Sequence, residues 1–315
     1  MTRSHRKVVV IGAGSVGTTY IYALLQTGLA TEIALVDIDA HRVEGEVMDL
    51  SHGLPFVPPV AVRAGDYSDC ADAHLTVITA GAKQTPGQSR TELIRKNADI
   101  VEAICTQIAN QRPPGVVLMV TNPVDTLTQL AAGYLTLPRG KVIGSGTVLD
   151  SARFKYLLSR HCAVDARNVH AYILGEHGDS EVPAWSMTHI AGIPIREYCQ
   201  ICHVCDYRKH HQEIAEQVRD SAYHIIDYKG STYYGIGLSL LRISQAILRN
   251  EQSVLTVSTH LQGEYGLHDI CLSVPCVVGQ DGAERIIDAR LESQELVQLQ
   301  HSAKILRDVL RDVAA

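Results

Sequence analysis

The feature that most constrains this chain is a glycine triplet near its start, Gly12-Ala13-Gly14-Ser15-Val16-Gly17, read together with what flanks it. A G-x-G-x-x-G string alone is weak, because glycine triplets arise often. Here it follows directly on the β-branched run 7–11 and opens a helical stretch, and Asp37 ends the next such run, twenty residues after Gly17. In a strand–turn–helix unit the glycines permit a tight turn and close backbone approach, and the helix N-terminus offers unpaired amides to a pyrophosphate. An acidic residue at the end of the second strand accepts hydrogen bonds from the adenosine ribose hydroxyls and repels a 2′-phosphate. NAD is therefore the expected cofactor, held by Gly12, Gly14, Gly17 and Asp37. Glycines serving only a tight turn are the plainer reading, which leaves the placement of Asp37 to coincidence.

The rest of the first half repeats the same unit. Near-continuous apolarity marks residues 7–11, 32–37, 75–79, 116–120 and 141–143 as strands buried on both faces, the signature of a parallel sheet with crossover helices. Helices are predicted at roughly 15–28, 40–50, 90–110 and 123–134, the last opened by Asn122 as cap and Pro123 in the first turn. The expectation is an α/β fold, a doubly wound Rossmann-type domain over residues 1–145. After it come long amphipathic helices near 149–161, 207–228, 235–249 and 291–312, with β-like runs near 169–174, 253–261 and 270–278. Gly263 and Gly266 suggest a hairpin between the last two, so residues 146–315 are expected to form an α+β substrate domain.

Composition narrows the classes of function. With 46% hydrophobic and 20% charged residues among 315, a sizeable core is available. The 28 basic and 34 acidic residues give a net charge of −6 with no basic stripe, so nucleic acid is not an expected partner. Arg3, Arg6 and Lys7 before an apolar run loosely imitate an export signal. The glycine triplet breaks that run, no small-residue cleavage site follows, and no stretch is apolar enough to span a membrane. A cytoplasmic protein is expected, its eight cysteines kept as thiols. Cys199, Cys202 and Cys205 with His203 spell C-x-x-C-H-x-C, which contains a haem-attachment string and hints at zinc. Haem attachment needs an exported protein, and seven consecutive residues lack the usual two separated ligand pairs; a surface segment, with no metal, is the expectation.

A dinucleotide fold does not name a reaction. The reductase signature Y-x-x-x-K follows none of the 13 tyrosines, and H-E-x-x-H is absent, so another group must move the proton. Candidates are His177 in Gly175-Glu176-His177-Gly178-Asp179, Asp150 and Arg153 in Leu149-Asp150-Ser151-Ala152-Arg153, and the loop from Gly81 to Arg90. Singly, each has an ordinary explanation. Thr147 and Asp150 fit a capping box, Asp150 and Arg153 a helix-surface pair, Arg90 a solvated helix start, and His177 a turn between glycines.

Together they resemble the L-lactate and malate dehydrogenase family across nearly the whole chain. G-A-G-S-V-G, A-G-A-K-Q-x-P-G, V-T-N-P-V-D, L-D-S-A-R-F and G-E-H-G-D-S agree in order. The bacterial lactate branch is the nearest in pattern, since the first strand begins by residue 7. The resemblance implies that His177 is the proton donor for a 2-keto acid, with Asp150 orienting its ring, and the chemistry supports both roles. It implies that Arg153 anchors the substrate carboxylate by its planar fork and that Arg90 polarises the ketone as a loop with Pro86 and Gly87 closes. Asn122 is implied beside the reacting oxygen and nicotinamide, and Thr232 in the pocket wall. Val16, Arg42, Tyr67, Gly81, Ala82 and Ser145 match cofactor-lining positions.

Gln84 separates the family's substrates. Relatives that use malate carry arginine at the matching position, whereas a neutral amide leaves a second carboxylate unpaired, so pyruvate and L-lactate are expected. Malate or another 2-hydroxy acid is the alternative, and a non-catalytic nucleotide-binding scaffold a remote one. The resemblance also implies a homotetramer and an effector site for fructose 1,6-bisphosphate at Lys155 and His170. The first of these is more usually arginine, and a lysine holds phosphate without the fork; two surface cations without a ligand are the plainer reading.

Overall fold

Short apolar runs bounded by turns become strands here because their residues can be buried on both faces. The computed structural model describes residues 5–82, 90–203 and 207–314, without the side chains of residues 90, 207, 208 and 314. Strands β1 (Lys7–Ile11), β2 (Glu32–Val36), β3 (Ala61–Ala64), β4 (Leu75–Ile78), β5 (Val116–Met119) and β6 (Val142–Gly144) pair in parallel in the spatial order β3-β2-β1-β4-β5-β6. The crossovers carry α1 (Ser15–Leu25), α2 (Ala40–His52), α3 (Arg90–Gln111) and α4 (Val124–Leu135). Alternate residues of β1 enter opposite cores. Val8 and Val10 pack with Tyr20, Ile21 and Leu24 of α1, and Val9 and Ile11 with Val101, Ile104 and Leu127 of α3 and α4. Strand order reverses between β1 and β4, which opens a crevice at their carboxyl ends where ligands of such sheets bind.

The second half begins with α5 (Val148–Cys162). Two-residue strands β7 (Val169–His170), β8 (Ile173–Leu174), β9 (Val182–Pro183), β10 (His189–Ile190) and β11 (Ile193–Pro194) follow it. Next come α6 (Ile195–Cys202), α7 (Tyr207–Lys229), α8 (Tyr234–Leu248), β12 (Ser253–Gln262), β13 (His268–Gly279), β14 (Gly282–Ile286) and α9 (Ser293–Ala314). A third core joins α5, α6 and α7 through Phe154, Leu158, Ile195, Ile214 and Val218. Among the described residues no helix is long and apolar enough to cross a membrane.

The glycines expected to turn the hairpin do so, Gly263 at φ 133° and Gly266 at φ 70° joining β12 to β13. The hairpin does not stay in a sheet of its own. Ser258 pairs with Gly144, so β12, β13 and β14 extend the parallel sheet antiparallel at the β6 edge, giving nine strands among the described residues. β3, β14 and α6 were not anticipated. The capping expectations need correcting too: Pro123, not Asn122, is the N-cap of α4 and makes no side-chain cap, after a cis Asn122–Pro123 peptide. Thr147 is the N-cap of α5 but forms no capping box, because its hydroxyl donates to the Ile173 carbonyl at 2.5 Å.

Candidate active site

The glycine loop leaves β1 where backbone must pass close to backbone. A Cβ on Gly12, at φ +117°, would lie 2.6 Å from the Ala80 amide nitrogen, and one on Gly17 would lie 2.2 Å from the Gly12 carbonyl oxygen. Gly14 is different. It is the N-cap of α1, carries no side-chain cap, and a Cβ there would meet nothing within 4 Å. The first-turn amides of α1 lack intrahelical acceptors and open onto that space, a donor set that fits a pyrophosphate. Asp37 is tied to the loop: one carboxylate oxygen accepts from the Ala13 amide at 2.7 Å and the other from the Asp39 amide at 3.1 Å. Arg42 follows on α2, its own amide capped by Asp39.

The remaining expected cofactor residues gather at the carboxyl ends of the neighbouring strands. Gly81 and Ala82 follow β4, Asn122 follows β5 and the buried Ser145 follows β6, while Val16 and Tyr67 are half-buried against the two cores. Asn97 of α3 joins two of these ends. Only 2% exposed, it accepts from the Ala82 amide at 2.8 Å and donates to the Asn122 carbonyl at 2.9 Å.

His177 sits in a loop pinned from three sides. Gly175 exchanges backbone hydrogen bonds with Ser273 of β13, the Glu176 amide donates to the Ser302 hydroxyl, and the His177 amide donates to Asp125 Oδ2 at 2.8 Å. Asp125, fully buried on α4, also accepts from the Ser273 hydroxyl at 3.0 Å. The ring Nδ1 of His177 lies 2.6 Å from Asp150 Oδ2, and Arg153 Nη1 donates to Asp150 Oδ1 at 2.6 Å. Asp150 and Arg153 are one turn apart on α5, and Ser151 between them accepts from the Ile173 amide, which locks α5 to the strand leading to His177. The pair is thus no surface ion pair: Asp150 is 2% exposed.

Electrostatics follow from this enclosure. Burial works to raise the Asp150 pKa, but the His177 and Arg153 charges and hydrogen bonds outweigh it and hold the carboxyl below its ordinary value. Burial likewise works against the charged His177 ring, yet the Asp150 carboxylate, with Asp125 and Glu181 beyond it, raises its pKa to about 9. An ionised carboxylate only accepts, so Nδ1 carries a hydrogen and Nε2 is the nitrogen that gains and loses a proton. Glu181, four residues on, is buried with no partner for its Oε1, and burial together with Asp150's charge lifts its carboxyl to about 8.

Other expected residues are placed apart or not at all. Thr232 lies half-buried in the loop between α7 and α8. Gln84, Pro86, Gly87 and the side chain of Arg90 lie outside the described residues, as does Cys205. Lys155 of α5 stands over the Tyr172 ring at 5.5 Å, in a groove of about 390 Å³ shared with Arg242, whereas His170 is exposed on β7. Burial, and then the Arg242 charge, lower the Lys155 pKa. Sequence reasoning overlooked Asn97, Asp125 and Ser273. The one available signal was polar residues at inward-facing positions of otherwise apolar elements.

Two family models match the chain: lactate/malate dehydrogenase, NAD binding domain, over residues 6–144, and lactate/malate dehydrogenase, alpha/beta C-terminal domain, over residues 147–315. An L-lactate dehydrogenase of Treponema denticola is 54% identical, covering 99% of this chain and all of its own. One from Acetivibrio thermocellus is 50% identical, over 97% of this chain and 96% of its own. Among solved structures, a minor L-lactate dehydrogenase from Enterococcus mundtii in its ligand-bound form superposes with a TM-score of 0.95 at 44% identity, covering 98% of both chains. A lactate dehydrogenase from a Medee basin deep-sea metagenome gives 0.96 at 43% identity over 99% of both.

Proposed function

The chain belongs to the lactate/malate dehydrogenase family and acts as an NAD-dependent L-lactate dehydrogenase, and on that premise we propose how its residues interconvert pyruvate and L-lactate. Residues 1–145 form the cofactor unit and 146–315 the substrate unit. NAD, when bound, supplies the carbon that gives or takes the hydride. Gly14 and the amides of α1 hold its pyrophosphate, Asp37 its adenosine ribose, and Arg42, Tyr67, Val16, Gly81, Ala82 and Ser145 line its path. Arg153 binds the substrate carboxylate with the guanidinium donors not engaged by Asp150. Its bond to Asp150 keeps the fork facing the same place as the His177 ring.

His177 Nε2 donates a proton to the keto oxygen as it gains an electron pair, and takes it back when lactate is oxidised. Asp150 holds Nδ1–H, orients the ring and stabilises the imidazolium between turnovers. Arg90 and Asn122 bind the reacting oxygen, Thr232 walls the pocket, and Gln84 leaves room for a methyl group while offering no cation to a second carboxylate. The observation that carries this reading is the 2.6 Å His177–Asp150 contact on an Asp150 that is itself buried and bonded to Arg153.

His177→Ala tests it. NADH affinity is expected to stay near that of the unaltered chain while pyruvate turnover falls by about 10²–10⁴-fold, the usual contribution of a positioned acid. Turnover that persists would remove His177 from the proton path. Comparing pyruvate with oxaloacetate tests Gln84, because enclosing an unpaired carboxylate costs several kcal/mol, about two to three decades in rate.

A homotetramer with fructose 1,6-bisphosphate as effector completes the proposal. Lys155 and His170 supply cations to the phosphates, and Lys155 already stands beside a second cation, Arg242. Arg242 is itself paired with Glu251 at 2.7 Å, so Lys155, half-buried in the same groove, is the cation there for a phosphate. Activation by the sugar bisphosphate that disappears in Lys155→Ala and His170→Ala is the expected result; activation unchanged in both removes the site.

A further inference from the structure

The C-x-x-C of the motif singled out in the sequence has no part in the reaction above. Cys199 and Cys202 lie on α6, three residues apart and therefore on one face of the helix. Cys202 is the last helical residue, and His203 turns left-handed at φ 54° immediately after it. Both residues are half-buried, Cys199 against the third core, whereas Cys70, Cys105, Cys162, Cys271 and Cys276 are buried. Burial pushes the Cys70 thiol up to about 11 and the Cys105 thiol up to about 12, and raises Cys271 and Cys276 as well, which keeps those sulfurs protonated and unreactive. Among the described residues these are the two cysteines that are not buried, and they are neighbours.

We propose that Cys199 and Cys202 are a reversible redox pair, oxidised to an intrachain disulfide by small-molecule disulfides such as oxidised glutathione. One thiolate attacks a sulfur of the reagent, forming a mixed disulfide and releasing one reduced thiolate. The second protein thiolate attacks the protein sulfur of that mixed disulfide, closing the Cys199–Cys202 bond and releasing the other reduced thiolate. Two protein thiols are oxidised, one reagent disulfide is reduced, and the protons pass to water.

Geometry sets the character of the bond. Residues three apart on a helix hold their Cβ atoms roughly 5–6 Å apart, and a disulfide needs about 3.5–4.5 Å. The final turn of α6 must tighten by about 1–2 Å, and a helix ending at Cys202 has only that one turn to adjust. Such a bond is easily reduced, which suits reversible modification and not permanent bracing.

The test uses the full-length enzyme. It is treated with oxidised glutathione, alkylated, cleaved with trypsin and weighed, with and without later dithiothreitol. The peptide that follows Arg196 carries Cys199, Cys202 and Cys205. The expected result is that it loses two alkyl labels and two hydrogens, that dithiothreitol restores them, and that peptides with the five buried cysteines are labelled only after unfolding. Cys205→Ser should keep the bond, and Cys199→Ser or Cys202→Ser should replace it with a single glutathione adduct. No loss of label in the unaltered chain, an adduct that never closes, or a bond that survives Cys199→Ser or Cys202→Ser and vanishes in Cys205→Ser would each overturn the assignment.

Discussion

The backbone amide of His177 donates to the buried carboxylate of Asp125 at 2.8 Å, so the histidine loop is held by the helix after β5 and not by its own segment. The same carboxylate accepts from Ser273 on β13, the long strand of the added hairpin. Asp125 thereby ties the helix after β5 and the added hairpin to the loop that carries His177. Burial raises its own pKa, against the hydrogen bonds donated to it and the His177 charge, which favour the charged form.

Removing that carboxylate should cost stability and placement together. Asp125→Ala leaves the His177 amide and the Ser273 hydroxyl without their acceptor, and stability should fall by about 2–4 kcal/mol. Urea unfolding measures the first effect and kcat with pyruvate the second, which should drop at unchanged NADH affinity. A variant as active and as stable as the parent would show that the loop is fixed some other way.

The His177–Asp150 contact predicts a pH dependence of definite sign. With its folded-state pKa raised from 6.5 to about 9, His177 contributes stability that is complete below pH 6.5 and lost as pH rises through about 9. In the free enzyme the proton needed for pyruvate reduction persists over the same range, so kcat/KM should decline only near pH 9. Asp150→Asn removes the opposing charge and leaves the burial that lowers the ring's pKa. The limb should then move to the acid side of neutrality, and a limb that stays in place would separate Asp150 from His177.

Two glycines of one loop should respond in opposite ways. Gly17→Ala forces a Cβ to within 2.2 Å of a backbone oxygen and is expected to lower the melting temperature and abolish NADH binding together. Gly14→Ala adds a Cβ that meets nothing, on backbone at φ −77° that any residue adopts, so the chain should melt at or above the parent temperature. Its NADH affinity should nonetheless fall at least about tenfold, because the added methyl occupies the space where backbone must approach pyrophosphate. Calorimetry beside a fluorescence titration with NADH distinguishes the two, and full affinity in Gly14→Ala would dismiss the proposed cradle.

Asn97 joins the loop after β4 to the one after β5. Asn97→Ala should cost about 1–3 kcal/mol, since a buried amide and a carbonyl lose their partners. The Michaelis constant for NADH should rise with it, while Asn97→Asp, which keeps the acceptor for Ala82, should recover part of the loss. Equal kinetics in both variants would make Asn97 a purely structural residue.

The chain's local chemistry determined the first half almost by itself. Apolar runs of four or five residues that cannot face water on either side must form a covered parallel sheet, and the spacing from Gly17 to Asp37 places a nucleotide site at the end of β1. His177, Asp150 and Arg153 were legible as a set because their motifs stand in a known order. None of their distances was legible, because residues 150 and 177 meet only after α5 and the β7–β8 segment fold back on each other.

Tertiary structure alone decided the rest. β3, four residues of mixed exposure at a sheet edge, carries too weak an alternation to be read, and α6 is only eight residues long. Nothing in the 253–279 hairpin says whether it pairs with itself or with the edge of another sheet, since an exposed β6 edge is a property of the folded whole. Asp125 and Asn97 look like ordinary polar residues in helices until the helices turn them inward. There the low dielectric makes each hydrogen bond obligatory, and a polar side chain with two buried partners becomes a fastener for the site.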